Sequence, residues 1–200
     1  PFNQQHKNIV INKKIDLLKD IIGLKKIIKK TKPSYIVDFV SNCNVNLSWI
    51  KTEEINQINY LNKIDLVKFL SKENYLKKYI YISTPEVFGS NKKFIKENSN
   101  NFNPSSPYAT SKLSFEFFLK NYYKSFKFPA ILSRFSNFYG PNQATNRLIP
   151  QLLLKILKKE KFILQGSGNF IRSYIYKDDF VSGIEKMINW TESIKLLNRN

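Results

Sequence analysis

The sequence predicts an α/β protein built around a mostly parallel sheet, and three observations carry that expectation. Short runs rich in Ile, Val, Tyr and Phe alternate with longer stretches of helical spacing, as βαβ units require. The unusual polar residues fall in loops after those runs, where open α/β sheets keep their ligand sites. Apolar residues make up 42% of the 200 and are spread along the whole length, enough for one core and too many for a disordered chain.

Taken in order, Asn8–Ile11 is the first expected strand and Lys19–Lys30 the first helix. Tyr35–Val40, Tyr79–Ser83, Ala130–Arg134 and Phe162–Leu164 are further short runs of strand type. Glu53–Leu70, Pro107–Ser125, Leu148–Lys159 and Asp179–Trp190 have helical spacing. Ser105 and Ser106 read as a cap, with Pro107 in the first turn behind them. Pro150 likewise falls in a first turn, where its missing N–H costs little. Asp178 and Asp179 are expected to N-cap the last helix. No repeat, linker or second composition regime interrupts the pattern.

Val40 runs into "SNCNVN", Ser83 into "TPEVFG" and Arg134 into "FSNFYGPN". Three polar loops at the same end of parallel strands are expected to form one crevice. The six glycines (Gly23, Gly89, Gly140, Gly166, Gly168 and Gly183) make neither G-x-x-G-x-x-G nor a Walker A loop.

Lys and Arg total 33 against 15 Asp and Glu, a net charge of +18. Nucleic acid is nonetheless not the expected partner. In "LKKIIKKTK" and "LKKEK" the lysines alternate with Ile and Leu as on a solvated helix face, and the Lys, Asn and Ile bias runs through the whole chain. No apolar run approaches the ~20 residues that span a bilayer, so no membrane partner is expected, and no signal peptide is visible. The chain begins with Pro, so a preceding segment is expected. A single cysteine, Cys43, excludes an internal disulfide and fits a reducing cytoplasm. Nothing in the sequence supplies Cys43 with a basic partner, and it reads as a small packed residue. His6 is assigned nothing, and no His/Cys/Asp/Glu set has metal spacing.

"NPSSPYATSK" (Asn103–Lys112) carries the most chemistry. Tyr108 and Lys112 stand four apart on one helix face. A tyrosine with an ordinary pKa near ~10 is no base at neutral pH, and a neighbouring ammonium pulls it down. Tyr-x-x-x-Lys is then a proton-transfer device beside an alcohol or carbonyl.

With "ISTPEVFG" before it, and "SNFYGPN", "RLIPQLLLKIL" and "GSGNFIRSYIYKDDF" after it, the segment resembles the extended short-chain dehydrogenase/reductase superfamily. Order and spacing are most similar to its nucleotide-sugar 4,6-dehydratases of the dTDP-glucose type. The resemblance implies a Rossmann-like doubly wound parallel sheet, NAD as cofactor, and part of a smaller C-terminal substrate-binding region. It places a partial NAD-binding domain at 1–135, without its N-terminal phosphate loop. Residues 136–200 become a partial substrate region interleaved with the last Rossmann elements. A fragment lacking both ends, cut from a homodimeric enzyme that pairs through Pro107–Ser125, is the expected setting.

Carried over by residue, the resemblance implies that Tyr108 takes the proton of the sugar 4-hydroxyl while hydride leaves for NAD. Lys112 lowers the Tyr108 pKa and holds the nicotinamide ribose. Thr84 hydrogen-bonds the 4-oxygen, and Glu86 removes the C5 proton. Asp16 and Leu17 bracket the adenine, and Phe39, Val40 and Ser41 cross the cofactor. Cys43 takes a substrate-side position, Asn137, Arg147 and Leu148 meet the nucleotide sugar, and Arg172 binds its phosphate. The departures matter as well. Pro85 replaces the aspartic acid that protonates the leaving C6 hydroxyl, Val40-Ser41 stands for two alanines, and Phe138 for an Asn. A nucleotide-sugar 4-epimerase or decarboxylase relative, or a non-catalytic binding module, therefore remains an alternative.

Overall fold

The computed structural model describes residues 12–90, 94–163 and 172–190. Helix α1 (Ile21–Thr31) starts on Asp20, whose carboxylate accepts from the Gly23 N–H, and runs to strand β1 (Tyr35–Asp38). Two short helices follow, α2 (Val45–Ile50) and α3 (Thr52–Asn56). A π-helical turn, Gln57–Leu61, leads into α4 (Asn62–Leu70). Strand β2 (Lys78–Ser83) then passes into a 3₁₀ turn, Pro85–Phe88. Helix α5 (Pro107–Phe126), β3 (Ala130–Arg134), β4 (Asn137–Tyr139), α6 (Leu148–Leu157), β5 (Tyr174–Tyr176) and α7 (Lys177–Asn189) complete the order.

Strands β1, β2 and β3 form one parallel sheet with β2 in the middle, and β4 and β5 form a separate parallel pair. The central β2 is buried on both faces, which explains its unbroken apolar and aromatic run. Tyr79 and Tyr81 point to one face, where Leu66, Val67 and Leu70 of α4 and Phe115 and Leu119 of α5 close the core. Tyr81 meets Phe115 edge-on at 4.8 Å between ring centroids. Helix α7 packs across the opposite face of β2, so the sheet is wound on both sides. Parallel pairing brings the C-terminal ends of all three strands to one rim.

The expected elements fall close to their predicted limits, with several corrections. The Glu53–Leu70 helix is interrupted by the π turn, and Ile55 just before it and Asn59 within it are both fully buried. Helix α2 was not anticipated; Asn44 caps it by accepting from the Leu47 N–H. The three-residue strands β4 and β5 are too short to leave a periodic trace. Asp178 and Asp179 do not cap α7: Tyr176 precedes the helix, and the carboxylates lie in its first turn, where they oppose the dipole's positive end. Phe162 and Ile163 are irregular rather than strand. Leu164, the Asn8–Ile11 strand and His6 lie outside the described residues.

Candidate active site

The two motifs that suggest chemistry are tied to each other by backbone. Thr84 leaves β2 in an extended conformation and its hydroxyl accepts from the Glu86 N–H, so the 3₁₀ turn begins with Pro85 at its first position. Pro85 has no N–H to lose there, which accounts for a proline between Thr84 and Glu86. Gly89 ends the turn at φ +62, and a Cβ at this residue would sit 2.2 Å from the Asn103 carbonyl oxygen. Asn103 in turn donates its N–H to the Val87 carbonyl at 3.0 Å. The segment that opens "NPSSPYATSK" is thus laid directly on the segment that closes "ISTPEVFG". Three residues on, Ser106 caps α5 by accepting from the Ala109 N–H at 3.2 Å.

The first turns of α5 then carry Tyr108 and Lys112 inward, and both are buried, with Thr84 buried opposite. Burial pushes the Tyr108 hydroxyl up to about 12, and Cys43 and Glu86 add to the rise, while the Ser41 and Thr84 side chains beside the phenol pull it partly back. Four residues expected to act together, Tyr108, Thr84, Glu86 and Cys43, are therefore neighbours. Lys112 departs from expectation. Its ammonium donates to the Ile82 carbonyl at 2.7 Å and lies 4.3 Å from the Tyr81 ring centroid. Burial, and then Lys63, pull its pKa down to about 7. The ammonium does not offset the desolvation of the phenol, so in this chain the Tyr108 pKa is raised, not lowered.

That shift has a measurable sign. Between about 7 and 10.5 the unfolded chain holds a proton on Lys112 that the folded chain has released. Stability is expected to rise with pH across that window and to gain nothing from Lys112 below it. Urea midpoints from pH ~7 to ~9 would test this; Lys112→Met is expected to flatten the slope, and an equal slope in that variant would refute it.

A crevice of about 800 Å³ opens beside these groups, lined by Asp16, Leu17, Val40, Ser41, Cys43 and others from the same loops. The Asp16-Leu17 turn is held down by Asn62, whose amide donates to the Leu17 carbonyl at 2.6 Å. The donor set suits NAD: an exposed Asp16 carboxylate can accept from hydroxyls, and the Ser41 hydroxyl lies in the crevice wall beside Tyr108. Phe39 does not join this lining. Half exposed, its ring packs on Phe180 of α7 at 5.8 Å between centroids. Arg147 reaches the crevice from the start of α6 and lies 3.4 Å from the Cys43 sulfur, supplying the basic neighbour the sequence did not suggest. Leu148 follows it as the first residue of α6. Asn137 and Arg172 are exposed, and no hydrogen bond or ion pair among the described residues joins them to the cluster. No group of three or more His, Cys, Asp or Glu among those residues is placed to hold a metal ion.

Sequence reading missed three residues. Asn59 is fully buried and clamps the loop after β1: its amide accepts from the Asn42 N–H at 3.0 Å and donates to the Asn42 carbonyl and to Ser111 on α5. An Asn inside an apolar helical run was the available signal. Asp38 and Lys63 pair in the interior and are taken up below.

A model of the NAD dependent epimerase/dehydratase family matches residues 2–197. The chain belongs to this family. Its relatives include the dTDP-D-glucose 4,6-dehydratases of Dictyostelium discoideum, 34% identical over 81% of this chain and 40% of the relative, and of Homo sapiens, 31% identical over 79% and 45%. The chain thus spans about half the length of the curated relatives it matches. Among solved structures, the UDP-glucuronic acid 4-epimerase of Bacillus cereus, in complex with UDP-glucuronic acid and NAD, superposes with a TM-score of 0.79 at 25% identity. That match covers 90% of this chain and 56% of the other. The dTDP-glucose 4,6-dehydratase of Bacillus anthracis, in complex with NAD, gives 0.75 at 27% identity over 88% and 54%. The Rossmann-type fold and NAD as the family's cofactor are established by these matches.

Proposed function

We propose that the whole protein is an NAD-dependent 4,6-dehydratase of a hexose carried on a nucleoside diphosphate. The observation that carries this reading is the Glu86 carboxylate, held on the Thr84-capped turn and felt by the Tyr108 hydroxyl. Asp16, Leu17, Val40, Ser41 and Lys112 would hold NAD, which when bound accepts the hydride of C4 and later returns it to C6. Tyr108 takes the proton of the 4-hydroxyl as its phenolate, a form that the positive charge of bound NAD would favour against burial, with the Thr84 hydroxyl steering the same oxygen. Once C4 is a ketone the C5 proton is acidic, and Glu86 removes it as the C6 hydroxyl departs. That hydroxyl needs a proton which Pro85 cannot give, so water supplies it, and the hydroxide left behind takes the proton that Tyr108 removed from the 4-hydroxyl. Glu86 then returns its proton to C5, leaving a 4-keto-6-deoxy sugar and water. Cys43, Arg147 and Leu148 stand on the substrate side, and Asn137 and Arg172 are assigned to the sugar nucleotide on the resemblance alone. The same reading includes a homodimer in the cytoplasm; Leu61 on the π turn and Phe117 on α5 are exposed and would be covered by pairing of these helices.

One observation favours a second reading, a nucleotide-sugar 4-epimerase: the exposed first position of the turn holds Pro85 and no acid. Incubation of the full-length enzyme with dTDP-glucose and NAD separates the two. A dehydratase forms a 4-keto-6-deoxy product that absorbs in alkali, whereas dTDP-galactose without that product would overturn the first reading. Pro85→Asp is a sharper probe. The turn tolerates it, because Thr84 caps the Glu86 N–H and a carboxylate suits the first position. Elimination is expected to quicken about tenfold or more, a modest share of what a placed acid can contribute. An unchanged rate would mean that this position is not the acid's seat.

A further inference from the structure

Lys63 has no exposed surface, and its ammonium donates to Asp38 Oδ2 at 2.5 Å. Asp38 ends β1, is itself buried, and accepts a second hydrogen bond on the same oxygen from the Tyr79 hydroxyl. A buried ion pair is a poor device for stability, since apolar residues of similar volume serve as well or better. Its location suggests another use. The Tyr81 ring, two residues along β2 from Tyr79, lies 5.0 Å from Lys63 Nζ and 4.3 Å from Lys112 Nζ. Two ammonium groups therefore share one aromatic ring in the dry layer between β2 and the α4–α5 pair.

We propose that Lys63 and Asp38 are a positioning pair for Lys112, opposite charges behind its ammonium that together set how readily it holds its proton. The inference rests on the reading of Lys112 as the partner of Tyr108. Each element around Lys112 contributes a group. Asp38 faces it from β1, Cys43 from the following loop, Lys63 from α4, and the Tyr81 ring and Ile82 carbonyl from β2. On its own helix Tyr108 lies one turn before it and Glu116 one turn after, the latter held by Arg134 of β3. Among these, Lys63 is the cation that disfavours the charged form of Lys112, and Asp38, Glu116 and Cys43 favour it. The two members of the pair thus pull Lys112 in opposite directions.

Opposite pulls give a test that packing alone cannot mimic. The Lys112 side-chain nitrogen would be followed by NMR against pH in the ¹⁵N-lysine-labelled full-length protein, its resonance assigned with Lys112→Arg. Lys63→Met leaves Asp38 facing Lys112, and the Lys112 pKa is expected to rise by about one unit or more. Asp38→Asn leaves Lys63 alone, and a fall of similar size is expected. The double variant should return near the parent, and Lys63→Arg, which keeps the charge, should shift little. Shifts of the same sign in the two single variants, or none, would overturn the proposal whatever the enzyme's activity. This readout needs no turnover, so a failure of the dehydratase reading is seen separately, as opposite NMR shifts with no matching displacement of the full-length enzyme's pH–rate profile.

Discussion

Replacing Tyr108 by Phe in the full-length enzyme is expected to lower kcat by about 10²–10⁴-fold, with little change in stability. The ring stays where it packs, buried on the first turn of α5 behind the Ser106 cap, and only the hydroxyl is lost. That hydroxyl is the atom on which the site converges, with Ser41 and Thr84 beside it and the Glu86 carboxylate near enough to oppose its ionisation. Both enzymatic readings require it, so the variant tests the site rather than the choice between them. Turnover with a nucleotide-sugar substrate, alongside a urea unfolding curve, separates lost chemistry from lost fold. Turnover equal to the parent's would remove Tyr108 from the mechanism.

Glu116→Ala is expected to cost about 3–5 kcal/mol of stability, because it strands the Arg134 guanidinium in a largely buried setting. Glu116 is fully buried and Arg134 grips it with two nitrogens, Nε at 3.0 Å and a terminal nitrogen at 2.5 Å. The same guanidinium lies 4.9 Å from the Phe88 ring centroid and 5.3 Å from that of Phe102. It therefore joins β3, α5 and the 3₁₀ turn that carries Glu86. Replacing both partners by Met is expected to recover much of the loss, since no charge is then left unpaired. Chemical denaturation of the single and double variants measures it; a double variant as unstable as the single one would show that the aromatic contacts dominate.

How much of this was legible in the sequence depended on the range of the interaction. Ser106 and Pro107 announce α5 because capping acts within three residues, and Tyr108 and Lys112 share a face because helical spacing is local. The strands β1, β2 and β3 were legible from composition, whereas β4 and β5 owe their three residues apiece to pairing with each other. The proline in "ISTPEVFG" reads from sequence as a lost acid. In the structure it is also the natural first residue of a 3₁₀ turn.

The sequence by itself determined the α/β alternation, the start of α5 and the set of side chains able to do proton chemistry, since propensity, capping and spacing act between near neighbours. Only the tertiary structure decided the company those side chains keep. Cys43 acquires Arg147 from 104 residues away, and Lys63 finds Asp38 across 25. Tyr108 and Lys112 sit four apart on one face, yet burial moves the phenol up and the ammonium down. The cost of a charge depends on how much water surrounds it, and water is excluded by the whole packed sheet and its helices rather than by any short segment.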